Sequence, residues 1–117
     1  MIRSVGGKIV VERVMTMAEL EATESTGLLK GGRGGTLGNP NYVTDTAPDT
    51  VVGAKADLAL PGTPTVKVTM ELDTSGTGAA LGKSGPVKAD FGQPGGGTER
   101  LAIGQMPAKI LSVQVLK

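Results

Sequence analysis

The stretch TVKVTMEL (65–72) alternates without interruption: Val66, Val68, Met70 and Leu72 fall on one side, Thr65, Lys67, Thr69 and Glu71 on the other. That period of two is the mark of a strand with one face buried and one face wet. Working outward toward the C-terminus, a loop rich in Gly, Ser and Thr runs to about Pro86, and a short strand fits 86–90. The segments ERLAIG (99–104) and AKILSVQVL (108–116) then read as two final strands separated by a turn near Gly104–Pro107.

Toward the N-terminus, KIVVERVM (8–15) has the β-branched richness of another strand, with Ile9, Val11, Arg13 and Met15 on one face. Thr16 followed by Glu19 is a capping-box pattern and Gly27 a natural C-terminal stop, which predicts a helix over about 17–25. GLLKGGRGGTLGNPN reads as a loop, and YVTD (42–45) as a short strand. Pro48 marks the start of a second helix, carried by Val51, Val52, Ala56, Leu58 and Ala59 and ending near Pro61. Residues 1–117 therefore form a single domain of the α+β class, with a mainly antiparallel sheet and two short helices.

Composition removes several kinds of chemistry. The chain has no histidine and no cysteine, which excludes histidine triads, histidine metal sites, thiolate nucleophiles and disulfides, and no metal site is expected. Aromatics are limited to Tyr42 and Phe91, so the core must be built from Val, Leu, Ile, Met and Ala. A net charge of +1 with dispersed Lys and Arg argues against nucleic acid as the main partner. No apolar run approaches a membrane span and no signal-peptide core opens the chain, so neither membrane insertion nor an export address of its own is expected. Delivery as part of a longer polypeptide stays open.

The segment FGQPGGGTERLAIG (91–104) raises the sharpest functional question. Three consecutive glycines, Gly95, Gly96 and Gly97, lead through Thr98 to Glu99. In ERLAI, alternation places Glu99 with Leu101 and Ile103 on an apolar strand side. Glycines there permit close backbone approach and rearrangement of the loop. A carboxylate so placed can stabilise a cationic transition state such as an oxocarbenium ion; the alternative is a strand-end carboxylate in solvent. Arg13, on the more apolar face of its strand, can fork onto phosphate oxygens, or pair with a local acid while its stem packs on the core. Tyr42 and Thr44 share a strand face and offer an aromatic surface and a hydroxyl, or serve structure alone. LLKGGRGG lacks the lysine–serine/threonine ending of a phosphate loop, and Lys30, Arg33 and Arg100 can contact phosphates or, the favoured reading, are solvated loop charges.

Taken in order, RVMTMAELEATESTGLLKGGRGG, YVTD, LALPGTPTVKVTMEL and FGQPGGGTERLAIGQMPAKILSV resemble the C-terminal toxin domains of bacterial polymorphic toxins. The nearest family is the TreTu-type ADP-ribosyltransferase toxins, carried at the ends of Rhs and contact-dependent inhibition proteins. The resemblance covers about residues 12–116, and TGLLKGGRGG and PGGGTER are its most specific pieces. It implies an ADP-ribosyltransferase-like fold, two small mainly antiparallel sheets around a cleft, with NAD as substrate. It further implies that Arg13 holds NAD phosphate or ribose, that Thr44 with Tyr42 supports the cleft, and that Glu99 contacts the nicotinamide ribose. Gln93, Gly95, Gly96, Gly97 and Thr98 would belong to a mobile target-recognition loop. The implied partners are a bacterial protein target, elongation factor Tu, and a cognate immunity protein. The implied place of action is the cytoplasm of a target bacterium after delivery within a larger effector. Many members carry Glu or Gln two residues before the catalytic Glu; this chain has Gly97 there, which keeps NAD hydrolysis open beside transfer. An RNA-cleaving toxin using Lys30, Arg33, Thr98, Glu99 and Arg100, and a non-enzymatic binding module, are the other readings.

Overall fold

The computed structural model describes residues 7–30, 41–60, 62–76 and 80–117. Its first sheet is built around the alternating stretch, which forms β4 (Val66–Asp73). β1 (Lys8–Met15) pairs antiparallel on one side of β4 and β8 (Gln105–Val115) on the other, while β2 (Leu28–Lys30) adds to the far side of β8. Val66, Val68, Met70 and Leu72 are all buried, as the period of two predicts, and each such side chain contributes roughly 1.5–3 kcal/mol. They pack with Val11, Met15, Leu29 and Met106 in one core. Opposite the Thr69–Met70 step β8 carries one extra residue, Leu111, a bulge that bends its C-terminal half.

The second sheet has the order β3 (Asn41–Val43), β7 (Thr98–Ile103), β5 (Ala80–Leu81), with β6 (Gly85–Pro86) also pairing with β7. Val43 and Ala102 carry its inner face into the same core. Between β7 and β8 the chain changes sheets within one residue, Gly104, at φ +77°. The expected turn over Gly104–Pro107 is therefore a one-residue corner, and Pro107 lies inside β8 opposite Leu28.

α1 (Met17–Thr26) starts on the full capping box: Thr16 Oγ1 accepts from the Glu19 amide, and Glu19 accepts from the Thr16 amide. It ends on Gly27 at φ +68°. α2 is Val51–Asp57, capped by the Thr50 hydroxyl, so Pro48 precedes the helix instead of opening it. The hydroxyl cap satisfies the Gly53 amide, a bond no proline can offer. β2 was not expected from its glycine-rich surroundings; it exists because Leu29 reaches the core and the backbone completes the ladder to β8. The short strand sought at 86–90 is only Gly85–Pro86.

α2 covers the opposite face of the first sheet, where Val14, Ala47, Ala54 and Leu116 form a second, smaller cluster. Lys67 anchors this side, bonding the Ala47 carbonyl and the Asp49 carboxylate. The Lys67 ammonium, with Gln114 assisting, holds the Asp49 carboxyl below its usual value of 3.8. A depressed carboxyl binds its proton less readily when folded, so this pair's stabilisation is present above about pH 4 and is lost as pH falls through the folded value. We expect Asp49→Asn to lower the melting temperature at pH 7, with the gap to wild type closing in melts recorded below the usual carboxyl range.

Candidate functional site at the seam between the sheets

A backbone bridge between β1 and the end of β3 joins the two sheets. The amide of Glu12 donates to the Thr44 carbonyl at 2.7 Å and the amide of Thr44 donates back to the Glu12 carbonyl at 2.8 Å. Arg13 is the next residue along β1, and β3 pairs in turn with β7. The seam thereby gathers elements carrying Arg13, Tyr42, Thr44, Thr98 and Glu99.

Arg13 points into the core side of β1, and its side chain is only 16% exposed. Its Nη1 donates to the Tyr42 carbonyl at 2.6 Å, tying β1 to β3. Its Nη2 donates to Glu19 Oε2 at 3.1 Å. The local acid partner that the alternative reading required is thus present, six residues downstream. Beside it, between α1 and β2, lies a cavity of about 180 Å³ lined by Arg13, Glu19, Ala22, Thr23 and Leu29 among others.

Thr44 is buried; its hydroxyl donates to the Thr46 carbonyl at 3.0 Å and lies 3.4 Å from the Thr98 hydroxyl. Tyr42 is 45% exposed and stands across the ladder from Leu101, on the outer face of β7. Glu99 is on that same outer face, so its side of the strand is apolar in composition but half-open, and the buried face belongs to Ala102. The apolar side that alternation marks, with Glu99, Leu101 and Ile103, is the outer one, and Ala102 faces the core on the other side of the strand. The carboxylate makes no hydrogen bond or ion pair among the described residues, with Arg13 and Thr44 included, and partial burial pushes its pKa up from 4.5.

The segment before Glu99 is not a free hinge. The amides of Gly95 and Gly97 donate to the Ala56 and Asp57 carbonyls at the end of α2, at 2.9 and 3.0 Å. The Gly96 amide donates to the Val87 carbonyl at 3.1 Å. Gly95 (φ +73°) needs its missing side chain twice over, since a Cβ there would stand 2.5 Å from the Val87 oxygen. The glycines serve close backbone docking, which fixes the start of β7. Upstream, Asp90 and Gln93 exchange both backbone bonds around a two-residue turn, Phe91–Gly92, with φ of +50° and +74°. Those signs match a type I′ hairpin, where Asn-Gly is the favoured pair. Phe91 instead occupies the strained position, 59% exposed at the tip.

Two features escaped the sequence reading. Glu19 was legible only as a helix cap, although a cap one residue past a strand end is bound to lie near that strand's side chains. Phe91 gave no signal because a lone aromatic does not announce a positive φ. Arg100 is no loop charge: it lies on β7 and forks onto Asp45 at 3.0 and 3.3 Å. Arg33 and the side chain of Lys30 lie outside the described residues. Among the described residues no helix is long and apolar enough to cross a membrane.

The fold and seam define the class as an α+β domain with two antiparallel sheets and two helices. No family model, curated protein or solved structure matches the chain.

Proposed function

We propose that this domain binds NAD at the seam and transfers its ADP-ribose to a bacterial protein, as an ADP-ribosyltransferase-type toxin domain. The observation that carries the reading is Glu99: a half-buried carboxylate without a partner among the described residues, raised by desolvation, on a strand paired to the one bonded by Arg13. The resemblance noted in the sequence supplies the substrate and points to elongation factor Tu as target and to an immunity protein as inhibitor. Two antiparallel sheets joined at β1 and β3 are compatible with the ADP-ribosyltransferase arrangement.

In this mechanism the bond between ribose C1′ and the nicotinamide nitrogen breaks. The electron pair stays on nitrogen, so the pyridinium leaves as neutral nicotinamide and needs no general acid. The lack of histidine is then no obstacle. Positive charge builds on the ribose, and Glu99 offsets it. An acceptor atom then bonds C1′ and gives up its proton. Gly97 bears on which acceptor: a Cβ there would approach the Asp57 oxygen to 3.0 Å, so the docked backbone leaves little room for a polar side chain. The target must therefore supply its own activated nucleophile, or water serves and the reaction is NAD hydrolysis, which is the second reading.

Labelled NAD incubated with a bacterial lysate tests the proposal; label should enter a discrete protein band. Phe91 at the hairpin tip is the surface that meets that protein. Phe91→Asn should keep or raise the melting temperature, leave nicotinamide release in the absence of target unchanged, and lower labelling of the target band roughly ten-fold, the scale of losing one aromatic anchor. Equal labelling by the variant would place target recognition elsewhere.

A further inference from the structure

We propose that Glu19 is an electrostatic latch on Arg13, one that a pyrophosphate-bearing ligand must displace to occupy the site; the inference rests on Arg13 being the phosphate-holding residue. The arrangement of the two Glu19 oxygens motivates it. Oε1 accepts from the Thr16 amide at 3.1 Å and lies 3.4 Å from the Thr16 hydroxyl, closing the capping box. Oε2 is turned the other way, to Arg13 Nη2 at 3.1 Å. One carboxylate thus performs two separable tasks, and a cap alone needs only the first.

The pair is unequal in a way that decides which partner yields. Arg13 is nearly enclosed, with Nη1 held by the Tyr42 carbonyl, whereas the Glu19 side chain is 47% exposed. A carboxylate half in water loses little on turning out to solvent, while moving the guanidinium would break the tie between β1 and β3. The helix survives the release, because the Thr16 hydroxyl still accepts the Glu19 amide at 3.2 Å. The cavity between α1 and β2 lies directly against both charged groups and gives an incoming ligand space to approach Nη2.

A phosphate oxygen and Glu19 Oε2 want the same N–H, and both are negative. With Glu19 in place the local charge of the pair sums to zero, so a small anion such as inorganic phosphate gains little by entering. A dinucleotide or nucleoside diphosphate offers two linked phosphates and further contacts, and so outcompetes the carboxylate. The latch therefore lowers affinity for every phosphate ligand, and does so most decisively for the smallest.

The test compares wild type, Glu19→Gln, Glu24→Gln and Arg13→Gln by titration calorimetry with NAD, ADP and inorganic phosphate at two ionic strengths. Glutamine at position 19 keeps a capping-box acceptor, so Glu19→Gln stays folded; Glu24 lies on the same helix with no ion pair among the described residues, which makes it the control for bulk charge. A melt of Arg13→Gln, with Arg13→Lys beside it, guards against loss of fold. Glu19→Gln should bind NAD and ADP roughly three- to ten-fold more tightly than wild type, the scale of a partly exposed ion pair plus a like-charge repulsion. Its affinity should also fall more steeply with salt, because Glu19 no longer offsets the guanidinium charge, a change that a purely structural role would not produce. Glu24→Gln should match wild type. If Arg13→Gln abolishes NAD binding while Glu19→Gln matches wild type in affinity and salt dependence, the latch is wrong and the site stands. If Arg13→Gln and Arg13→Lys bind all three ligands like wild type, the site is wrong and the latch falls with it.

Discussion

Glu99→Gln is expected to reduce release of nicotinamide from NAD by about 10²–10³-fold, the scale of removing one preorganised charge from a transition state. The same substitution should leave the melting temperature unchanged or slightly raised. Burial pushes the Glu99 pKa above 4.5, so the folded protein binds this proton more readily than the unfolded chain does. Stability therefore declines as pH rises through that window, and the ionised carboxylate is a small net burden at neutral pH. Its removal relieves the burden while taking away the charge that the ribose needs, the usual trade at a functional site. Activity in the wild type should follow the reverse course, falling as pH drops through the raised value. Thermal melts and nicotinamide release across pH 4–8 check both signs. A variant that loses stability and activity together would make Glu99 structural.

Gly95→Ala should be the most destabilising single change in the segment before β7. Its φ of +73° costs an L-residue about 1–2 kcal/mol. The added Cβ also meets the backbone of residues 87–89, with the Val87 oxygen at 2.5 Å and the Lys88 carbonyl carbon at 2.9 Å, neither of which can rotate away. Together these predict a loss of about 2–4 kcal/mol, or a fall in melting temperature on the order of 10 °C. Gly27→Ala separates the two causes, because Gly27 has a similar φ of +68° with nothing within 4 Å of the added atom. That variant should lose only about 1 kcal/mol. The functional consequence follows from the docking: once Gly95 and Gly97 leave the α2 carbonyls, the start of β7 and Glu99 lose their fixed position.

Local pattern made much of the frame legible. Alternation marked β4 because its inner face meets the core in strict period, β-branched richness marked β1, and the Thr16–Glu19–Gly27 signals bounded α1 to within a residue because capping is local chemistry. What escaped depends on distant partners. β2 exists only through β8, and the corner at Gly104 only through the second sheet. The docking of Gly95 and Gly97 was hidden for the same reason: a glycine run reads equally as a hinge or as a close approach, and the α2 carbonyls that receive these amides lie far away in sequence. Glu99 was identified by alternation, but which face of β7 is inner depends on Ala102 meeting methionines far away in sequence. The ion pair of Arg13 with Glu19 falls between a strand and a helix, where neither periodicity reaches.

The most direct test of the central claim is incubation of the protein with NAD labelled in its adenylate half, with and without bacterial lysate, followed by separation of nicotinamide, protein and RNA. Wild type should release nicotinamide and place label on a discrete lysate protein, and Glu99→Gln should do neither. Intact NAD together with RNA cleavage that proceeds without it would contradict the account and make the domain a nuclease.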